Sequence, residues 1–176
     1  FLINYLMNLE ELVSSYPDFP KKGILFRDMS PILRSPSAMT SMLNQFGDFS
    51  DRLMPDYIVG IESRGFIIGT ALATRQRMGF IPIRKKGKLP GKVIGVDYTL
   101  EYGKDRLEIQ SDILKNRNVL LVDDLLATGG TVRAASKLIS RVGGRLVGCL
   151  FVIELLGLNG RDNIPNVPIK SLISYD

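Results

Sequence analysis

The chain has 176 residues, 45% hydrophobic and 23% charged, the balance of one globular domain, and no apolar run nears the roughly 20 residues a membrane helix needs. It has no histidine and one cysteine, Cys149, which excludes Ser-His-Asp and Cys-His catalysis, histidine metal sites and an intramolecular disulfide, and makes a reducing cytoplasm the natural setting. The net charge of +5 has one address: Arg84, Lys85, Lys86, Lys88 and Lys92 fall within residues 84–96 without an acid, leaving 18 basic against 18 acidic residues elsewhere.

At the start, Leu2, Leu6, Leu9, Leu12 and Val13 recur at helical spacing among acids and polar groups. That reads as a helix stopped by Pro17, not as a signal peptide. YPDFPKKG at 16–23 is loop chemistry, and GILFRD at 23–28 holds a short strand. SPILRSPS breaks the chain again, and Ser37 is expected to cap a helix over Met39, Met42, Leu43 and Phe46 that Gly47 ends. YIVGI at 57–61 is apolar without alternation, as a strand buried on both faces is. A Glu62-Ser63-Arg64-Gly65 turn, a helix over FIIGTALATRQR and a strand at 79–84 follow.

Residues 92–110 behave differently. Ile94, Val96, Tyr98 and Leu100 alternate, as do Leu107 and Ile109, around Glu101-Tyr102-Gly103-Lys104. This predicts a β-hairpin with one apolar face, a flexible flap. VLLV at 119–122 is a second buried strand, followed by a helix striped with Val132, Ala135, Leu138, Ile139 and Val142 and ended at Gly143-Gly144. LVGCLFVIEL is a third buried strand, and a short helix near 157–163 and a strand at 169–174 close the chain. Strand–helix units with uniformly apolar strands imply an α/β fold, a central mostly parallel twisted sheet with helices on both faces. With no repeat or linker, residues 1–176 are expected to form a single domain.

The most informative segment is VLLVDDLLATGGT, residues 119–131. A buried strand carries Asp123 and Asp124 to its C-terminal end, where ligands sit in open α/β sheets. Ala127-Thr128-Gly129-Gly130-Thr131 then turns into a helix, so backbone N–H groups, the helix terminus and two hydroxyls can meet a phosphate. Acids above a phosphate cradle suit a sugar phosphate: carboxylates accept from ribose hydroxyls while the loop takes the 5-phosphate. Neither GxxxxGK[ST] nor GxGxxG occurs, which argues against P-loop and dinucleotide folds. Arg64, at another strand end, reads either as a turn cap or as a pyrophosphate clamp. The cationic loop reads as a solvated segment, a partner for a phosphate chain, or a nucleic-acid contact.

Segment 119–131 resembles the phosphoribosyl pyrophosphate signature of the type I phosphoribosyltransferases. FPKKGILFRDMSPIL, GIESRGF, IRKKGKLPG and LEYGKDRLEIQ, in that order, are similar to the adenine-specific branch of that family, and the resemblance runs over about residues 16–175. Lys22 departs from it, standing where the family often has Pro. The resemblance implies purine salvage: adenine and 5-phosphoribosyl 1-pyrophosphate give AMP and pyrophosphate, with magnesium carried by the pyrophosphate and no direct protein ligand assigned. It implies that Ser63 and Arg64 contact pyrophosphate, sometimes through an unusual peptide geometry, and that Arg84, Lys86 and Lys88 add charge there. The residue matching Arg84 reaches across a dimer interface in related enzymes, so a cytoplasmic homodimer is expected, with neither nucleic acid nor membrane as partner. Adenine is expected at Leu25 and the backbone of Arg27, with Phe26 and Leu125 as apolar surface; Phe26 reads equally well as core. Glu101 is expected beside the base as the acid–base group, with Tyr102 sealing the site, against a plain reading of Glu101 as a solvated turn acid. Arg64, Asp123 and Asp124 complete the expected catalytic set. Transfer to another base, such as xanthine or orotate, and a nucleotide-sensing regulator on the same fold remain the alternatives.

Overall fold

The computed structural model describes residues 7–100 and 103–176. The chain groups into two compact units, residues 1–45 and 46–176.

In the first unit, β1 (Ser14–Pro17) pairs antiparallel with β2 (Leu25–Asp28), from Ser14 opposite Asp28 to Pro17 opposite Leu25. The expected N-terminal helix differs here. Leu2 and Leu6 lie outside the described residues, Glu10–Leu12 form one 3-10 turn, and the chain then extends into β1. Pairing with β2 satisfies backbone groups that a short helix ending before Pro17 would leave open. Phe19 meets Phe26 edge to face at 5.2 Å, and Asp18 accepts from the N–H of Gly23 at 2.6 Å, closing the loop between the strands. A short helix, α1 (Ser30–Arg34), was not anticipated; Asp28 accepts from the N–H of Ser30 at 2.9 Å at its start. Helix α2 (Pro36–Leu53) is capped by Ser35, whose Oγ accepts from the N–H of Ala38 at 3.3 Å, not by Ser37.

Nor does α2 stop at Gly47. Its apolar stripe continues through Phe46 and Phe49, both buried. Gly47 serves a close approach instead: the Gln76 side chain donates to its carbonyl at 3.3 Å and to Asp51 at 2.6 Å.

The second unit is built on a seven-stranded sheet in the order β5-β6-β4-β3-β7-β8-β9. Its strands are β3 (Tyr57–Ile61), β4 (Gly79–Lys85), β5 (Val93–Leu100), β6 (Gly103–Gln110), β7 (Asn118–Leu126), β8 (Arg145–Leu155) and β9 (Ile169–Tyr175). β4, β3, β7, β8 and β9 run parallel, as the uniform hydrophobicity of β3, β7 and β8 predicts. The hairpin β5–β6 forms, joining the sheet antiparallel through Arg84 opposite Glu108 and Lys85 opposite Leu107. Its apolar residues Val96, Leu107 and Ile109 belong to the main core.

Residues alternate between the two faces of the sheet. Val59, Ile61, Ile81, Ile83 and Leu121 pack in one cluster with Val132, Ala135, Leu138 and Ile139 of α4 (Gly130–Arg141). On the other face lies α3 (Arg64–Gln76): a Cβ at Gly69 would come within 2.7 Å of Phe80, with Ile58 close by. The expected C-terminal helix resolves into two 3-10 turns, Leu156–Leu158 and Gly160–Asn163. Asn159 between them has φ +50°, a left-handed conformation through which an α-helix cannot run. Among the described residues no helix is long and apolar enough to cross a membrane.

Gly60 is another point of close packing, since a Cβ there would sit 2.7 Å from Phe80 and 2.8 Å from the carbonyl of Gly65. Gly60→Ala is therefore expected to lower stability by about 1–3 kcal/mol, read from urea unfolding midpoints. Phe80→Leu in the same chain should recover only part of the loss, because the Gly65 backbone cannot withdraw.

Candidate active site

Parallel pairing brings the C-terminal ends of β3, β4 and β7 to one edge of the sheet. A cleft of about 500 Å³ opens there, lined by Ile61, Glu62, Ser63, Arg64, Lys85, Lys88, Tyr98, Asp105, Asp123, Asp124 and Thr131. The peptide bond between Glu62 and Ser63 is cis. Gly65, in the first turn of α3, allows the close packing here: a Cβ would lie 2.8 Å from the carbonyl of Val122 and 3.1 Å from Asp123 Oδ1.

Asp123 and Asp124 differ in environment. Asp123 is 9% exposed, and its Oδ1 accepts from the N–H of Asp124 at 2.9 Å. Burial, and then the charge of Asp124, push its carboxyl well above the usual range. Asp124 pairs with Arg64, whose Nε donates to its Oδ2.

Glu62 organises the opposite wall. It accepts from Lys88 Nζ at 2.7 Å, from the N–H of Lys85 at 2.9 Å, and from Arg84 Nε and Nη2 at 3.3 Å each. Burial alone would raise its pKa, yet these donors bring it down to about 2. Arg84 also donates to the carbonyl of Lys88 at 3.2 Å, so the cationic loop folds back on its own chain. Lys85 pairs with Asp105 at 3.2 Å. Asp105 is lowered despite its burial, by the N–H of Arg106 and by Lys85. Tyr98 donates to Asp105 at 3.3 Å; burial and then the charge of Asp105 push its phenol up to about 12.

The loop after β7 has the expected shape. Gly129 has φ +79°, and Gly130 begins α4. The two glycines are constrained differently. A Cβ on Gly129 would strike the carbonyl of Gly160, whereas one on Gly130 would have ordinary room, 3.8 Å from its nearest neighbour, the carbonyl of Thr99. Ala127 and Thr128 continue that loop, and Leu125 is half-buried on β7.

Ser63, Arg64, Lys88, Asp123, Asp124 and Thr131 thus share one cleft, with Arg84 bonded to its wall. Lys86 faces elsewhere, beside Asp97, Arg106 and Glu108. Leu25, Phe26 and Arg27 lie on β2 in the first unit; Leu25 is exposed, and Arg27 donates to Ser15 Oγ at 2.6 Å. Glu101 and Tyr102 lie outside the described residues. Sequence reasoning passed over Glu62, Tyr98 and Asp105. The place of Glu62 directly after a buried strand was the available signal for it; Tyr98 and Asp105 depend on the hairpin register, Tyr98 opposite Asp105.

Comparison with known proteins gives a consistent result. A family model described as a phosphoribosyl transferase domain matches residues 40–170. The adenine phosphoribosyltransferase of Prochlorococcus marinus (strain MIT 9313) is 61% identical over 171 residues, 96% of this chain and 99% of its own length. The crystal structure of adenine phosphoribosyltransferase from Thermoanaerobacter pseudethanolicus superposes with a TM-score of 0.92 at 41% identity, covering 97% of this chain and 99% of that one. The Saccharomyces cerevisiae enzyme, complexed with D-2,5-dideoxy-2,5-imino-altritol 1,6-bisphosphate and adenine, superposes with a TM-score of 0.90 at 41% identity, over 96% of this chain and 98% of that one.

The Glu62 cluster has a pH signature. A carboxyl lowered from 4.5 to about 2 contributes stability that is present above pH 4.5 and is lost as pH falls toward 2. Glu62→Gln is expected to cost about 1–3 kcal/mol at pH 7. The gap between variant and parent should narrow steadily below pH 4.5, as measured by urea unfolding across that range.

Proposed function

Because the chain belongs to the adenine phosphoribosyltransferase family, we infer that it works in purine salvage, moving the 5-phosphoribosyl group of 5-phosphoribosyl 1-pyrophosphate onto adenine and releasing AMP and pyrophosphate. The observation that carries the reading is one cleft shared by Asp123, Asp124 and Thr131, at the β7–α4 connection, with Ser63, Arg64 and Lys88. Carboxylates beside a glycine-rich helix entry match a ribose phosphate, and the facing cations match a pyrophosphate.

In this reading Ala127, Thr128, Gly129, Gly130 and Thr131 take the 5-phosphate, and Asp123 and Asp124 accept from the ribose hydroxyls. Ser63, Arg64, Arg84 and Lys88 take the pyrophosphate. The cations are already paired in the free chain, Arg64 with Asp124 and both Arg84 and Lys88 with Glu62. Pyrophosphate offers more negative charge than either carboxylate and competes for the same donors. Adenine falls to Leu25, Phe26, Arg27 and Leu125, with Glu101 and Tyr102 beside it.

As the bond from the anomeric carbon to pyrophosphate breaks, N9 of adenine bonds to that carbon and its proton passes to the departing pyrophosphate. Glu101, in its protonated form, donates a hydrogen bond to N7 in either direction of the reaction and keeps its own proton. Catalysis is then mainly positioning and electrostatic stabilisation. The donor chemistry fits Mg²⁺: it prefers oxygen ligands, which Asp123 and Asp124 offer beside the sugar. In this reading the pyrophosphate is the ion's main carrier, as the family resemblance implies. When bound, Mg²⁺ supplies charge neutralisation for the leaving group. The reading includes a homodimer acting in the cytoplasm, residues 1–176 serving as one domain. The free, buried Cys149 suits a reducing compartment.

AMP formation from adenine is the direct test, run against guanine, hypoxanthine and xanthine with and without magnesium. Adenine alone should support turnover, and magnesium should be needed; turnover on another base in preference to adenine would overturn the assignment. Arg64→Ala should weaken 5-phosphoribosyl 1-pyrophosphate roughly 10- to 100-fold while changing AMP affinity less than about threefold, since AMP lacks the leaving group. Equal losses in calorimetric titrations of both ligands would remove Arg64 from the pyrophosphate site.

A further inference from the structure

The loop assigned to the 5-phosphate is held from behind by the connection between β8 and β9. Asn163 Nδ2 donates to the carbonyl of Thr128 at 2.8 Å. Gly160 and Gly129 are in mutual close approach: a Cβ on Gly129 would strike the Gly160 carbonyl, and a Cβ on Gly160 would strike the Ala127 carbonyl. Neither Gly160 nor Asn163 lines the cleft, to which the loop itself contributes Thr131.

The 3-10 turn that carries them is itself anchored. Arg161 Nε and Nη2 donate to Glu154 Oε1 and Oε2, both at 2.6 Å. Glu154 is 3% exposed, and it stands opposite Leu126 at the end of β7 in the sheet register. The Arg161 hydrogen bonds hold it ionised, prevailing over its burial. Ile164, directly after the turn, packs into the main core. The turn therefore has a fixed position against the sheet from which to hold the loop.

Peptide geometry gives the contact a consequence. In a trans peptide the C=O and the following N–H point in opposite directions. With the Thr128 carbonyl held back toward Asn163, the N–H of Gly129 is aimed away from the turn, and the carbonyl oxygen is kept from repelling an anion. We propose that Asn163 and Gly160, fixed by the Arg161–Glu154 pair, are positioning residues that preorganise the 127–131 loop for the 5-phosphate. This rests on the reading of that loop as the phosphate site. Preorganisation raises affinity by removing the ordering cost at binding.

Asn163→Asp keeps shape but replaces the donor with an acceptor facing the Thr128 carbonyl. It should raise the Kd of ribose 5-phosphate and of AMP together, by roughly three- to tenfold. The Kd of free pyrophosphate, which lacks the 5-phosphate, should change less than twofold, with the urea midpoint retained. Arg161→Met should act in the same direction, and Arg161→Lys should restore part of the affinity. Unchanged ribose 5-phosphate binding in Asn163→Asp, or equal weakening of ribose 5-phosphate and pyrophosphate, would overturn the proposal. Gly130→Val separates the two levels of inference, because a Cβ there meets the protein itself only at ordinary contact distance. If Gly130→Val abolishes ribose 5-phosphate binding while Asn163→Asp does not weaken it, only the positioning role fails. If Gly130→Val also binds normally, the loop assignment falls with it.

Discussion

Parallel pairing of β3 with both β4 and β7 is the constraint on which the rest of the site depends. With Tyr57 beside Gly79 on one side and Val119 on the other, three chain segments finish at one edge of the sheet. Segments far apart in sequence thereby deliver Ser63-Arg64, Arg84-Lys85 and Asp123-Asp124 to the same place. The register is fixed by burial on both faces, since a one-residue slip would exchange the residues facing α4 with those facing α3. The positions of the charged groups therefore follow from apolar packing one or two residues away.

Once gathered, these charges hold each other. Isolated cations beside a low-dielectric wall would be costly, and carboxylates beside them offset that cost. Glu62 and Asp124 fulfil this role for Lys88, Arg84 and Arg64. Asp123 is the exception, buried with an acidic neighbour and pushed toward its neutral form. In the proposed reading a polyanionic substrate enters a site whose cations are already held in place, and binding exchanges one set of anionic partners for another.

The strands at 57–61 and 119–122 were legible because burial on both faces leaves an uninterrupted apolar run, and the loop after β7 because its acids and glycines follow such a run. Gly47 misled because a glycine inside a helix, here beside the Gln76 side chain, resembles a helix stop. The segment before Pro17 misled because leucine spacing cannot report the strand pairing that claims residues 14–17. Within the site, charge composition located the cationic loop but could not show that Arg84 and Lys88 converge on Glu62, since that depends on side-chain direction across two strand ends. The support behind the 127–131 loop was illegible for a similar reason: Gly160 and Asn163 are some thirty residues from the atoms they touch.

The pairing of β3 with β7 also bears on how the molecule comes into being. About sixty residues, including α3, β4 and the whole hairpin, separate Tyr57 from its partner Val119. The hairpin and the β3–α3–β4 unit close short loops and can form early; the central pair has to close a long one, which is slow. During synthesis β7 emerges only after all of that intervening chain, leaving the apolar edge of β3 exposed in the interval. The strand that covers this edge of β3 is also the one that brings Asp123 and Asp124, so the ends that line the cleft come together in the same step, before β8 and β9 extend the sheet.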